Sequence, residues 1–286
     1  MLGHVELVAS TAMYGVGIVA QRAAARRAVD SAPTGAAGSA GSGLFARLVR
    51  DRLYLIGFAA QVGGFLLAFL ARASLPLYLV QAGASCAVGL AVVVGFLALG
   101  WRVRAVEVVV LLVMASGLVL LAASATPSPA RPLPPGADLL LLGAVVAIAV
   151  LAVLACRSAA VTSLVVLAGA AFAVVAVSGR SLAAGPLAQL PLRPLAWVMV
   201  AAALVGQACL SVGLSRSSST AAVAPMDAVT VVLTSAVGLA VLGDRVVPGR
   251  QWWVAAGLLS VLLGVVVLGL VSRVASPAAP APSEAV

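Results

Sequence analysis

Nine stretches of about twenty mainly apolar residues alternate along this chain with short segments that carry nearly all of its charge. They cover about 4–21, 52–71, 76–98, 105–124, 138–156, 160–178, 194–214, 220–242 and 252–272. A helix needs roughly 20 mainly apolar residues to cross a bilayer, so the pattern predicts an all-α polytopic membrane protein with nine transmembrane helices. Polar residues inside the runs are few. Thr162, Ser163 and Ser178 dilute the sixth, and Gln61 stands at the centre of the second.

The pattern also repeats. Residues from Val80 run into Leu99-Gly100-Trp101-Arg102-Val103, and residues from Val223, 143 positions later, run into Leu242-Gly243-Asp244-Arg245-Val246. The same ungapped overlay pairs Val88 with Val231, Leu90 with Leu233, Val94 with Val237 and Gly95 with Gly238. Single identities carry little information in a chain rich in Val, Leu and Gly; these fall in register at the same topological place. The matching spans, third and eighth, are five crossings apart, and an odd separation makes the two copies face opposite ways. Inverted repeats of this kind are a transporter architecture, because similar halves of opposite orientation can exchange roles between inward- and outward-facing states. A channel or a structural membrane protein can be duplicated as well. The halves expected are a first repeat of four helices at 1–124, with a flexible loop at 22–51, and a second of five at 138–273. The Pro-rich connector 125–137 joins them, and the tail 274–286 is expected to be disordered.

Composition agrees with the pattern. Hydrophobic residues make up 63% and charged residues 9%, too few charges to cover a soluble domain of this size. All seventeen basic residues are arginine and sit mostly at span ends. That distribution argues for membrane orientation and against nucleic acid as a partner, despite the net charge of +9. With the N-terminus outside, eleven arginines fall on cytoplasmic segments (Arg22, Arg26, Arg27, Arg47, Arg50, Arg52, Arg102, Arg104, Arg157, Arg216, Arg273). Six fall outside (Arg72, Arg131, Arg180, Arg193, Arg245, Arg250). The positive-inside rule therefore predicts an inner-membrane protein with its N-terminus outside and its C-terminus cytoplasmic. No basic segment precedes the first run, so it reads as an uncleaved span and not a signal peptide.

With repeat and layout in place, the chain resembles the drug/metabolite transporter superfamily, whose EamA-type repeats carry a Leu-Gly-Glu-Arg-like signature before the last helix of each half. Here the signature stands as Leu99-Gly100-Trp101-Arg102 and Leu242-Gly243-Asp244-Arg245; the first copy has Trp101 in place of the acid. The superfamily norm is two five-helix halves. A four-plus-five layout is shared with the NIPA-type magnesium transporters, which are similar also in a first span ending in a basic cluster (here Arg22, Arg26, Arg27) and in a Pro-containing stretch like Ala224-Pro225. The resemblance implies a secondary transporter of a small metabolite or cation, with magnesium or another divalent cation as the alternative. A non-transporting membrane scaffold or accessory subunit is the alternative from a different class.

Among single residues, Asp227 stands out. It lies about seven residues into span eight, roughly 10 Å deep at about 1.5 Å per residue, and an aspartate near the membrane centre usually faces a cavity or a partner. Pro225 either kinks that helix or begins it, and in both cases leaves polar backbone beside the carboxylate. Asp227 is thus the candidate proton or metal ligand, or else the solvated edge of a vestibule marked by Ser217, Ser218, Ser219 and Thr220. Gln61, Gln81 and Gln207 lie within apolar spans and should face the bundle interior, joining helices or lining the pathway. Glu6 and His4 open the first span at the interface, where Glu6 could pair with Arg72 or Arg245, and Glu107 is expected to pair with Arg104. Arg102 and Arg245 are read as helix-end and headgroup anchors, and Trp101, Trp197, Trp252 and Trp253 as interfacial aromatics. Cys86, Cys156 and Cys209 read as packing residues. No phosphate-loop spacing, nucleophile–base pair or metal cluster occurs, so neither an enzyme nor a cofactor is expected. The partners expected are the lipid bilayer and a small-molecule or cation substrate. Small residues on every helix leave room for a monomer or a homodimer.

Overall fold

The computed structural model describes residues 2–30, 51–99, 105–157, 161–216 and 219–274. The glycine-rich stretch 31–43, Gly100, Trp101, Arg102, Arg104, Ser217, Ser218 and the residues after 274 lie outside the described residues. So does half of the expected Glu107–Arg104 pair.

Each apolar run forms a helix because hydrocarbon offers no partner to backbone N–H and C=O groups, which a helix satisfies internally. Among the described residues there are nine: α1 (Leu2–Asp30), α2 (Arg52–Ala71), α3 (Leu77–Leu99), α4 (Ala105–Ser124), α5 (Ala137–Arg157), α6 (Val161–Leu182), α7 (Pro194–Arg216), α8 (Ser219–Ala240) and α9 (Gln251–Val274), with a 3-10 turn at Leu187–Leu192. Seven, α1 to α7, are long and apolar enough to cross a membrane. In α8 and α9 the comparable apolar stretches are shorter, Pro225–Ala240 and Gln251–Val267. The protein is an all-α, multi-pass membrane protein. Large apolar side chains such as Leu139, Leu140, Leu97 and Val119 lie on its outside, as contact with lipid requires.

α3 and α6 form the centre: 61% of each spanning window is buried, against 22% for α2, α4, α5 and α7. α1 packs on α2 and α3, α6 on α7 and α8, α4 on α9, and α3 crosses α8. Glycines set the closest approaches. A Cβ on Gly17 would stand 2.8 Å from the Gly57 carbonyl oxygen, and one on Gly169 2.6 Å from the Met226 carbonyl oxygen. At the α4–α9 crossing a Cβ on Gly117 would meet Ser260 Cβ at 2.8 Å and the Gly257 carbonyl oxygen at 2.9 Å, while Gly257 faces Leu121 and Gly264 faces Met114. Residue numbers rise on one helix as they fall on the other, so α4 and α9 are antiparallel. Gly117→Ala should therefore lower the melting temperature, by the equivalent of about 1–3 kcal/mol for an overpacked contact. Gly143, which has open space around its Cβ position, is the control: Gly143→Ala should leave it unchanged or higher.

The turns 72–76, 125–136, 183–193 and 241–250 gather at one end of the bundle. There the connector is bonded to its neighbours. Ser128 N–H donates to the Ser74 carbonyl (3.2 Å), Ala130 N–H to the Ala73 carbonyl (2.9 Å) and Val247 N–H to the Ser124 carbonyl (3.0 Å). Leu133 N–H donates to Ser181 Oγ at 3.0 Å. The sixth helix outruns the expected span, reaching Leu182. That extra turn carries Arg180, expected in an outer loop, into the helix and out of solvent.

Candidate functional site

The described structure gathers polar chemistry at two places. The first is the bonded end, where the second signature copy has a clear local logic. Gly243, at φ +71°, takes the left-handed conformation that lets the chain leave α8. Leu242 N–H closes on the Val237 carbonyl (3.1 Å) and Asp244 N–H on the Gly238 carbonyl (3.0 Å). The carboxylate then lies where a side chain at 238 would be, since a Cβ on Gly238 would stand 2.6 Å from Asp244 Oδ2. Leu242 packs into a buried cluster with Leu77, Ala176 and Val177.

So placed, Asp244 Oδ2 accepts the Leu77 N–H at 2.6 Å, satisfying an orphan donor at the start of α3. Its Oδ1 lies 2.6 Å from Arg180 Nη2, with both side chains within 1% of complete burial. Arg180 also donates to the carbonyls of Arg72 (2.9 Å) and Ser128 (2.8 Å), and to that of Leu75. One guanidinium thus joins the end of α6 to the α2–α3 turn, the connector and the α8–α9 turn. Burial pushes the Asp244 carboxyl up from its usual range, while the Arg180 guanidinium and the Leu77 N–H hold it down. Arg245, beside it, is exposed and takes part through its backbone, its N–H donating to Ser128 Oγ (3.1 Å) and its carbonyl accepting from Thr126 (2.9 Å).

Arg72 is the second buried cation here, at 6% exposure. Burial and the like charge of Arg180 draw its guanidinium below its ordinary value, against the Tyr14 hydroxyl. Among the described residues no ion pair joins Glu6 to Arg72 or Arg245.

The second place is the α3–α8 crossing, deep in the bundle. Helix α8 runs unbroken from Ser219 through Pro225, so of the two backbone arrangements expected at the proline the internal one is found. Asp227 projects toward Ser85 and Cys86 of α3, with the Ser85 hydroxyl in hydrogen-bonding reach. Its Oδ2 is sealed from solvent and has no hydrogen-bond partner among the described residues. Ser85 Oγ also donates to the Gln81 carbonyl at 3.1 Å. Cys86 faces a largely apolar cavity of about 600 Å³ between α1, α3 and α4, bordered also by Thr11, Phe96 and Met114.

The three glutamines separate. Gln81 is buried on α3, one turn from Ser85. Gln61 is half-buried, its Cγ against Gly17 at the α1–α2 contact. Gln207 is exposed, contrary to the expectation that it faces the interior: Gly206 makes the contact of α7 with α6 at Ala171 and Phe172, and the next residue turns outward. Glu6 stays in the first turns of α1, half-buried. Trp197 and Trp252 are exposed, and Arg250 stacks on Trp253 at 4.6 Å, all at the bonded end. Sequence reasoning missed Arg72 and Arg180 as buried groups. No signal in the sequence separates these two from the other arginines at span ends, since all seventeen basic residues are arginine. No family model matches the chain, and neither the characterised proteins nor the solved structures include a match to it.

Proposed function

We propose that this protein is a secondary membrane transporter of the drug/metabolite superfamily type, working by alternating access between two inverted repeats of four and five helices. The observation that carries the reading is the pairing of helices across the bundle. The 143-residue shift seen in the sequence takes α2, α3 and α4 onto the residues of α7, α8 and α9. The packing follows the same chain order: α1, which precedes α2, packs on α2 and α3 as α6, which precedes α7, packs on α7 and α8. At the α4–α9 crossing the exchange returns the contacts to themselves. Gly117 maps to Ser260, its own neighbour, and the Gly264–Met114 contact maps to Leu121–Gly257. Equivalent helices that cross antiparallel are what opposite orientation of the halves requires.

Asp227 supports a transport site at this interface. Ser85 maps to Ala228, next to Asp227, so this half-buried carboxylate, with one oxygen sealed from solvent, lies beside the crossing of two equivalent helices, where such transporters hold substrate and coupling ions. It is suited to carrying a proton or contacting a cationic group. Among the described residues no three His, Cys, Asp or Glu side chains lie together, and a divalent cation usually takes one or two carboxylates with water, so a magnesium site rests on Asp227 alone.

The orientation proposed is N-terminus outside and C-terminus cytoplasmic in the inner membrane. Burial of Arg72 and Arg180 removes two of the six outer arginines from the aqueous loops, which sharpens the positive-inside bias. The test is flux in proteoliposomes, wild type against Asp227→Asn, with Mg²⁺ and candidate metabolites under an imposed pH gradient. Loss of flux in the variant supports the reading. Folded protein that moves nothing favours the scaffold alternative.

A further inference from the structure

We propose that Arg72 is a binding site for an oxyanion, a carboxylate or phosphate group, where α2 meets α1 and α6. The side chain leaves the end of α2 and folds back along it, so that its guanidinium carbon lies 5.9 Å from the centroid of the Phe65 ring. Nη1 stands 3.0 Å from the place a Cβ on Gly179 would take, so the glycine leaves the space that the cation fills. Tyr14 of α1 is within electrostatic reach.

Charge makes the case. Nε and Nη1 of Arg72 are buried without a hydrogen-bond partner. The buried carboxylate at this end, Asp244, is engaged by Arg180 at 2.6 Å, and Arg180 itself donates to the Arg72 carbonyl. Two buried guanidiniums thus stand at an end with one buried carboxylate, and among the described residues that carboxylate is paired to Arg180 alone. A guanidinium does not shed its proton in a protein, and a buried charge without a partner is strongly unfavourable. The ring of Phe65 offers only weak compensation. An anion is the missing group, and the planar fork of N–H donors fits the paired oxygens of a carboxylate or phosphate. That the anion is also the transported solute rests on the transport reading; its binding does not.

The same chemistry is offered by a free solute and by an anionic lipid headgroup, and two arms separate them. The full chain is placed in nanodiscs of phosphatidylcholine alone, and its melting temperature is measured in sodium phosphate or acetate against sodium chloride at equal ionic strength and pH. The second arm adds phosphatidylglycerol to the nanodisc with chloride as the only added salt. One arm should raise the wild-type melting temperature, by about 5–10 °C near a hundredfold excess over Kd. Arg72→Gln should abolish that rise while melting no lower than wild type in chloride, because it removes an unpaired buried charge. A solute response places a free oxyanion at Arg72; a response to phosphatidylglycerol alone places a headgroup there. No response in either arm, or an equal response in Arg72→Gln, overturns the proposal. If Arg72→Gln does not fold, Arg72→Lys decides. It keeps the charge and loses the fork, so the response should need at least about tenfold more anion, and an unchanged response overturns the site. Flux plays no part in this assay, so it and the transport test fail separately.

Discussion

Asp244→Ala should destabilise the folded bundle by about 3–5 kcal/mol, the range found when one member of a buried ion pair is removed. Three losses coincide at this position. Arg180, sealed from solvent, is left without its counter-charge. The Leu77 N–H at the start of α3 loses its acceptor. The like charges of Arg72 and Arg180, both buried, are then left with no buried carboxylate at this end. The substitution is small and surface-compatible by sequence alone, since it falls in a turn between two helices, so a large loss tests the buried clamp specifically. Thermal or denaturant unfolding of purified protein in detergent reads it. Because the pair is out of water, the loss should change little between low and high salt, unlike that of a surface pair, whose contribution is about 0–1 kcal/mol. A double-mutant cycle with Arg180→Met should return a coupling near the top of the usual 0.5–3 kcal/mol range. A loss for Asp244→Ala below about 1 kcal/mol would mean that the pair is hydrated and the clamp is not closed in solution.

The clamp gives the second signature copy a physical content. Leu242 anchors the turn in the core, Gly243 supplies the left-handed backbone, Gly238 makes room for the carboxylate, and Asp244 binds the neighbouring elements. Only Arg245 is left to solvent, and anchoring at headgroups suits it. On the transport reading, a tie that joins α3 of the first half to α6 and the α8–α9 turn of the second holds this end shut, and opening it must bring water to both charges at once.

Helix number and type were legible in the sequence because a bilayer leaves a long apolar run one regular structure to adopt. The nine runs are the nine helices found among the described residues. The ends were less legible, since apolarity fades over a turn or so. Stopping the sixth span at Ser178 put Arg180 in a loop, and one further turn of helix buried it. Which helix lies inside was not legible at all: α3 and α7 read alike in composition, yet Gln81 is buried and Gln207 exposed. That difference depends on which face Gly206 presents to α6, a tertiary fact. Asp227 was found because a carboxylate deep in an apolar run is conspicuous. Arg72 escaped because its backbone lies just past the helix end while its side chain turns back inward.

Asp227→Asn should abolish coupled flux, by at least about a hundredfold, while leaving the melting temperature of the protein equal or higher. The two effects point in opposite directions for a physical reason. An aspartate deep in a membrane costs roughly 2.5–3.5 kcal/mol on insertion scales, and this one has a sealed oxygen with no hydrogen-bond partner among the described residues. Asparagine keeps the shape and removes the charge, so the fold loses little and gains relief from desolvation. A packing or capping aspartate behaves in the reverse manner, losing stability and keeping function. Ser85 provides a graded companion. Ser85→Ala removes one hydroxyl in reach of the carboxylate and should slow flux about tenfold without abolishing it, the low end of the about 1.5–3 kcal/mol for a hydrogen bond to a charged group, because that hydroxyl is shared with the Gln81 carbonyl. Proteoliposomes carrying a pH-sensitive dye and an Mg²⁺ indicator separate the chemistries. Proton movement that follows an added metabolite and vanishes in Asp227→Asn makes the carboxylate a proton carrier. Mg²⁺ entry that vanishes in the same variant makes it a cation ligand. Wild-type flux retained in a well-folded Asp227→Asn protein would remove Asp227 from the pathway and leave the α3–α8 crossing a structural contact.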